Sequence, residues 1–473
     1  GLTADGIAEA FIEFAKKENL SFFDSSSFDE VHYKSLLEGL ECTEILLSEL
    51  LEENKTHRID TEFFSKVAVS TDNFIKSKEH FYIAESAVVS GPFGSTLKSE
   101  SYLEKGDIAF VRIENIRGGF NIDTSNLVYI STTDNLKILN SQLFTDDIIL
   151  SKVGNSIGFF ARVNDDLKTC NISENNIGIK LKGYSRAEKF FILTYLNSKF
   201  GQILTLRRRS GNAQPKLNVD DVCQIPIPKF SQNFYELISN LILQNEFNLQ
   251  SADEVYKSAE KILAQALHLE DFKPSTKNTA VVSFSSFMNS GRLDAEFFMP
   301  KYDDIENKLA SEFKISDKFK LVKTTCDRTK DFYNYVEIGD VNISNGIAAP
   351  NLIATENLPD NAKIMTMAGD VLVSKVRPNR GAVAVLRENN LLVSGAFAVL
   401  RASGDFSNNV LQILLRLKVY RELMLKFNVG TSYPVIKDED VLNLPLPIID
   451  AETQGKIAAL VEKSFNLRAE SER

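Results

Sequence analysis

The sequence predicts an α+β fold in which two similar mixed α/β domains are separated by long helices that pair as an antiparallel coiled coil, with a pseudo-two-fold internal repeat. Three observations predict it. Residues 211–228, GNAQPKLNVDDVCQIPIP, return in pattern as GTSYPVIKDEDVLNLPLP at 430–447, an offset of 219 (430 less 211). Arg58-Ile59-Asp60-Thr61-Glu62-Phe63-Phe64 returns as Arg292-Leu293-Asp294-Ala295-Glu296-Phe297-Phe298, an offset of 234 (292 less 58). Ser151-Lys152-Val153 returns as Ser374-Lys375-Val376, an offset of 223 (374 less 151). The order holds while the offsets drift, so the scaffold repeats and the loops differ in length, as two different recognition surfaces would.

Residues 1–57 read as a helical segment without a second copy. Ile7, Phe11, Phe14 and Ala15 form one apolar stripe, and Leu36, Leu40, Ile45, Leu46 and Leu50 form another. The expectation is that this segment docks on another part of the chain or on another subunit. Gly1 in place of Met suggests a missing or processed N-terminus.

The first domain spans 58–230 and the second 273–449. Each opens on an Arg-x-Asp-x-Glu-Phe-Phe, for which a structural role is preferred over a metal or acid–base site: Arg pinned by carboxylate, two Phe in a core. In the first domain, strands are predicted at 107–115, 121–130, 147–153 and 159–163, the last two joined by Gly154-Asn155-Ser156-Ile157-Gly158. In the second, 369–376 and 382–386 flank Arg377-Pro378-Asn379-Arg380-Gly381, and a helix follows in each domain, at 188–205 in the first and 409–427 in the second. Each domain closes on Pro-x-Pro, the mark of an edge strand, because proline cannot donate to a ladder.

A helix follows each closing, the central one within 231–272 and the last within 450–473. Ile238, Leu241, Asn245, Asn248, Ala252, Val255, Ala259, Ile262, Ala266 and Leu269 keep the 3,4 spacing of a coiled-coil seam. Ile457, Leu460, Ser464 and Leu467 take the equivalent positions in the second helix. Asn245 and Asn248 would fix the register of the pair.

Composition sets limits. A chain with 43% hydrophobic and 25% charged residues reads as soluble and globular, and no apolar run reaches the ~18 residues of a membrane span. Cys42, Cys170, Cys223 and Cys326 are scattered, without a zinc or disulfide framework, which favours a cytoplasmic setting. Walker A, H-E-x-x-H, G-x-S-x-G and Asn-Pro-Pro-Tyr motifs are missing, and His32, His57, His80 and His268 all lie outside the repeated cores. The net charge of −10 argues against a general nucleic-acid coat but leaves room for local basic surfaces.

Cations and amides do gather on predicted turns. Arg207, Arg208 and Arg209 stand beside Asn212, Gln214 and Lys216, and Arg, Asn and Gln are the residues that pair bidentately with guanine and adenine edges. Three arginines after a helix equally suit its C-terminal dipole on a solvated face. Lys98, Arg112, Asn115, Arg117, Lys152, Asn155, Ser156, Lys375, Arg377, Asn379, Arg380, Ser432 and Tyr433 add donors on loops, and together they favour DNA.

From about Leu50 to Arg473 the chain resembles the specificity subunits of type I restriction-modification systems. The resemblance rests on Gly91-Pro92-Phe93-Gly94-Ser95 with Leu97 and Lys98, on Val111-Arg112-Ile113-Glu114-Asn115-Ile116, and on residues 149–158. Leu196-Asn197-Ser198 and the two Gly-x-x-x-Pro to Pro-x-Pro closings complete it. The second repeat departs by lacking Gly-Pro-Phe-Gly-Ser and by carrying the Arg377 to Gly381 turn. The resemblance implies two target-recognition domains, one for each half of a split double-stranded DNA sequence. It also implies a non-catalytic chain without a cofactor of its own, methyltransferase subunits docked on the helices, and a restriction subunit joining them, with S-adenosylmethionine and ATP on those partners. A seam of about 33 residues is roughly 50 Å long, enough to set two readers about one duplex turn (~34 Å) apart.

The sequence also admits two other readings. One is the specificity half of a fused adenine methyltransferase-endonuclease, with residues 1–57 as the methylase's helical tail. The other is a two-domain interaction scaffold that binds no DNA, for which the acidic balance is the best argument.

Overall fold

Residues 147–153, predicted as one strand, show how each half is layered. In the computed structural model of the chain, Ile148–Ser151 is buried throughout, and its side chains alternate between two cores. Ile148 and Leu150 pack with Ile192 and Leu196 of a helix, whereas Ile149 packs with Val111 and Ile172 of a second sheet. A strand with apolar residues on both faces can form only the middle layer of a helix–sheet–sheet stack.

The structure describes residues 13–14, 16–17, 35, 38, 45, 48, 58, 60–92, 94, 96–211, 214–430 and 432–471. The helices expected in 1–57 therefore lie almost entirely outside the described residues, as do Asn212 and Thr431. The chain divides into two units, Gly1–Ile242 and Leu243–Arg473, with the division falling inside the long helix Gln232–Ala266.

In the first unit, β1 (His80–Phe81), β2 (Val88–Ser90), β3 (Ile108–Val111), β4 (Val128–Ile130) and β5 (Leu143–Phe144) are followed by β6 (Ile148–Ser151), β7 (Phe160–Arg162), β8 (Thr169–Ile172), β9 (Asn176–Ile179) and β10 (Ile227–Pro228). They form sheets in the orders β2-β9-β6-β7 and β4-β3-β8-β5, plus the pair β1-β10. The proline-bounded closing is thus a two-residue edge strand. The predicted helix 188–205 is two helices, Arg186–Asn197 and Lys199–Arg207. Ser198 has the extended backbone of an N-cap, and its side chain accepts from the Gly201 N–H.

The second unit repeats this topology with every strand number raised by ten. β11 (Phe313–Lys314), β12 (Phe319–Leu321), β13 (Phe332–Val336), β14 (Asn351–Ala354), β15 (Ala362–Met365), β16 (Val371–Ser374), β17 (Val383–Val385), β18 (Leu392–Ser394), β19 (Phe397–Ala402) and β20 (Pro445–Leu446) form β12-β19-β16-β17, β14-β13-β18-β15 and β11-β20. The division of side chains repeats as well. Val371 and Val373 face the helix residues Val410 and Leu414, and Leu372 faces Val336 and Val393. The predicted helix 409–427 also splits, into Asn408–Arg416 and Lys418–Lys426.

The opening motifs act as clamps. Arg58 Nε lies 2.7 Å from Asp60 Oδ2, and its Nη1 donates to the carbonyls of Arg207 (3.1 Å) and Arg209 (2.7 Å). Arg292 Nε likewise meets Asp294 Oδ1 at 2.6 Å, and its Nη2 donates to the Asn428 carbonyl at 2.6 Å. Of the phenylalanines only Phe63 is buried; Phe64, Phe297 and Phe298 are partly exposed. The expected insertion of both rings is corrected to one in the first copy and none in the second.

In the second unit the last helix, Ala451–Ser471, runs antiparallel to the second half of the long helix. Asn245 Nδ2 donates to the Ser471 carbonyl, Ser464 Oγ donates to the Ala252 carbonyl at 2.7 Å, and Arg468 pairs with Asp253. The buried seam is Asn248, Ala252, Tyr256, Ala259 and Leu263 against Ile457, Val461, Ser464 and Phe465. Ala252, Ala259, Ile457 and Ser464 take their predicted seam positions, whereas Tyr256 and Leu263 are buried in place of their neighbours Val255 and Ile262, which flank the seam, as do Leu460 and Leu467. Ile238 is half-buried and Leu241 is 60% exposed, so Leu241 lies off the buried face. The cause is that Tyr256, Ala259 and Leu263 join the domain's own core beside Ile413 and Tyr420, so the helix follows a globular surface as well as its partner. Asn245, inside the long helix, holds the C-terminal end of the last helix, while Asn248 accepts from Gln244 of its own helix at 2.9 Å.

Candidate nucleic-acid interface

The register of the strands decides which loops can act together. β3 runs parallel to β8, β9 runs antiparallel to β2 and β6, and Ser90, Ser151 and Asn176 sit at matching ends. The loops leaving β2, β3, β6 and β8 consequently open at one edge of the first unit. That edge gathers Lys98, Arg112, Asn115, Arg117, Lys152, Asn155 and Ser156 from separate stretches of sequence. The closing loop joins them, since Val153 bridges Lys216 and Leu217 N donates to the Lys152 carbonyl.

The second unit builds the same edge. Lys152 N donates to Asn175 O at 3.1 Å and Lys375 N to Ala396 O at 2.9 Å, while Ile436 N reaches Lys375 O at 3.0 Å. Ser151 Oγ donates to Val153 O at 3.3 Å and Ser374 Oγ to Val376 O at 2.7 Å. The repeated Ser-Lys-Val is thus a turn-building element: its serine holds the backbone and its lysine leaves toward the edge.

Within that frame the predicted residues differ in role. Lys98, Asn155, Gln214 and Lys216 are exposed, as are Arg377, Asn379, Arg380, Ser432 and Tyr433. Arg117 is exposed and lies 3.1 Å from Asp123 Oδ2. Arg112 pairs with Glu114, donates to the Asn126 carbonyl and lies 5.8 Å from the Tyr102 ring centre. Lys152 donates to Ser90 Oγ at 3.1 Å, and burial pulls its pKa below the ordinary lysine value, with Lys216 adding to the fall and Glu174 opposing it. Lys375 is 2.9 Å from Asp438. Ser156 Oγ is engaged with Ser151 Oγ at 2.8 Å.

Three assignments are corrected. Asn115 is buried; its Oδ1 accepts from Arg112 N (2.9 Å) and its Nδ2 donates to Asp123 O (3.0 Å), so it staples the turn and cannot read a base. Arg207 places Nη1 3.3 Å from Asp72 Oδ2, donates through Nε to Phe63 O and lies 4.2 Å from the Phe63 ring centre. Arg208 is buried and donates to the carbonyls of Leu204 and Gln224 at 2.8 and 2.7 Å, and burial pushes its pKa down to about 10, against the pull of Asp72. Both arginines hold the helix Lys66–Lys76 to the domain. Arg209 is half-exposed beside Glu62 at 3.3 Å. A triplet of arginines reads as surface charge until its carboxylate, far away at Asp72, is found.

Clefts mark each edge. In the first unit one of about 370 Å³ is lined by Pro92, Gly94, Tyr102, Arg112, Glu114 and Glu174. In the second, one of about 630 Å³ is lined by Ile338, Asn342, Ile343, Arg377, Arg380 and Tyr433. Tyr102, Glu174, Asn342 and Ile343 escape the sequence reading because they belong to no repeated motif. Aligning the strands of the two halves would have brought out Asn342 and Ile343, which follow β13 as Arg117 follows β3. Among the described residues no cluster of three His, Cys, Asp or Glu is placed to hold a metal, and no helix is long and apolar enough to cross a membrane.

No family model matches the chain, and no curated protein matches it. Solved structures do. The S subunit of a type I restriction-modification system from M. genitalium is similar at 14% identity and a TM-score of 0.44, covering 83% of this chain and 92% of that one. A structure described as the basis of complex assembly and conformational transition of the type I R-M system matches at 14% identity and a TM-score of 0.28, covering 83% and 93%. The HsdS subunit from Thermoanaerobacter tengcongensis matches at 14% identity and a TM-score of 0.26, covering 83% and 91%.

Proposed function

We propose that this chain is the DNA-specificity subunit of a type I restriction-modification complex. The observation that carries the reading is the duplicated sheet topology, which presents two equivalent loop edges with unlike side chains. Two unlike readers on one scaffold suit a bipartite double-stranded target with two dissimilar halves. Exposed cations at both edges meet phosphates, while amide and guanidinium groups reach base edges. The chain itself is non-catalytic and works in the cytoplasm. It delivers target adenines to methyltransferase subunits docked on the paired helices, and a restriction subunit joins that assembly. S-adenosylmethionine and ATP belong to those partners.

The test is duplex binding by the full chain assembled with a methyltransferase subunit, at about 50 and 200 mM salt. The expected result is an affinity that falls steeply between the two, because each phosphate contact releases a counterion. Absence of binding, or binding indifferent to salt, contradicts the proposal and favours the interaction scaffold.

A further inference from the structure

The turn between β6 and β7 and the turn between β16 and β17 share two backbone hydrogen bonds and two left-handed positions but carry different side chains. Ile157 N donates to Gly154 O and Ser151 N to Phe159 O in the first; Arg380 N donates to Arg377 O and Ser374 N to Ala382 O in the second. Both turns begin and end in the left-handed region. Gly154 and Gly158 have φ of 78° and 86°, and Arg377 and Gly381 have 50° and 76°. Where the first turn uses the residue that tolerates this conformation, the second uses an arginine. Pro378 follows it directly and further disfavours anything but extended backbone at Arg377. Breaking two local rules at one position is expected where the side chain, and not the fold, dictates the residue.

The arginine's surroundings point the same way. Its guanidinium lies 5.4 Å from the ring centre of Tyr433, and Arg377 N donates to the Pro434 carbonyl at 2.7 Å, which ties the turn to the closing loop. Arg380, three residues on, lines the same cleft. Among the described residues, Arg377 and Arg380 are the only arginines whose guanidinium meets neither a carboxylate nor a hydrogen-bond acceptor; the others are held by partners such as Asp60, Asp146 or the Gly381 carbonyl. An arginine left without a partner yet steadied on an aromatic face keeps its fork free for a planar acceptor pair.

Resting on the specificity-subunit reading, we propose that Arg377, oriented by Tyr433 and assisted by Arg380, reads a guanine in the half-site recognised by the second unit. The guanidinium donates to the O6 and N7 acceptors in the major groove. The first unit has Gly154 and Ile157 at the two equivalent positions and reads its half-site with other loops.

The experiment selects sequences from a randomised duplex pool with the full chain assembled with its methyltransferase subunit, comparing wild type with Arg377→Gly and Arg377→Lys. Glycine restores the residue that the first turn uses, so Arg377→Gly is expected to fold with an unchanged or higher Tm. Expected is loss of a guanine preference of about ten- to a hundredfold at one position of one half-site, with the other half-site unchanged. Lysine, a point charge without the fork, should restore only part of it. An unchanged motif overturns the assignment while leaving the specificity-subunit reading in place. An equal loss for every sequence, with a salt slope lower by about one, also overturns it by making Arg377 a phosphate contact. A pool that yields no motif with wild type overturns both.

Discussion

Arg207 and Asp72 form an ion pair of 3.3 Å with only 7% and 6% of their side chains exposed, 135 residues apart in sequence (207 less 72). Asp72 also draws Lys76 to 2.9 Å and Arg208 to 3.9 Å. Removing the carboxylate leaves buried guanidinium charge uncompensated. Asp72→Ala should lower stability by about 3–5 kcal/mol in urea unfolding. A loss below about 1 kcal/mol would show that the pair is solvated and that the arginines are available for other work.

Asn115 separates turn-building from recognition. Its replacement by Ala leaves Arg112 N and Asp123 O without their side-chain partner, a cost of about 1–3 kcal/mol. The expected result is lower thermal stability with no new base preference in the selected motif. Retained stability with an altered motif would return Asn115 to the recognition surface.

Ala252 and Ala259 are wholly buried where the long helix meets the last helix. Ala252→Leu should overpack this contact and cost about 1–3 kcal/mol. Because the Ser464 hydroxyl donates to the Ala252 carbonyl, Ser464→Ala should cost about 1 kcal/mol. Unaltered chemical denaturation of both variants would contradict the antiparallel pairing.

The two clamps respond to acid. Hydrogen bonds from Arg58 and Arg292 hold the carboxyls of Asp60 and Asp294 below the ordinary 3.8, and in both burial opposes the fall. A depressed folded-state pKa contributes stability that is present above pH ~4 and lost as pH falls through the lower folded-state value. Unfolding followed from pH 6 to 3 should show this decline, smaller in Asp60→Asn than in wild type. The two proteins declining in parallel would contradict the clamp.

How much of this was legible in the sequence follows from the range over which each signal acts. Strands such as Ile148–Ser151, the proline-bounded β10 and β20, and the repeated Ser-Lys-Val turns carry local patterns, and they were found. Ala259 holds its expected seam place, but Tyr256 and Leu263 displace Val255 and Ile262, because both members of each neighbouring pair are apolar. Only contact with Tyr420 and Phe465 decides between them. Arg207 and Arg208 were misassigned because their partner lies on another element, and Asn115 because an amide in a turn looks the same whether it faces water or its own backbone. Arg377 is legible as a cation, but its left-handed backbone, at the place where the first turn has Gly154, is a property of the folded turn and leaves no mark in the sequence.

Whether this chain directs methylation to a split sequence is tested by mapping adenine methylation after co-expression with its methyltransferase in a methylation-free host. The expected result is a bipartite motif of two unlike halves around an unspecified spacer, present only when this chain is present. Methylation that is the same without the chain, or none at all with an active methyltransferase, would contradict it.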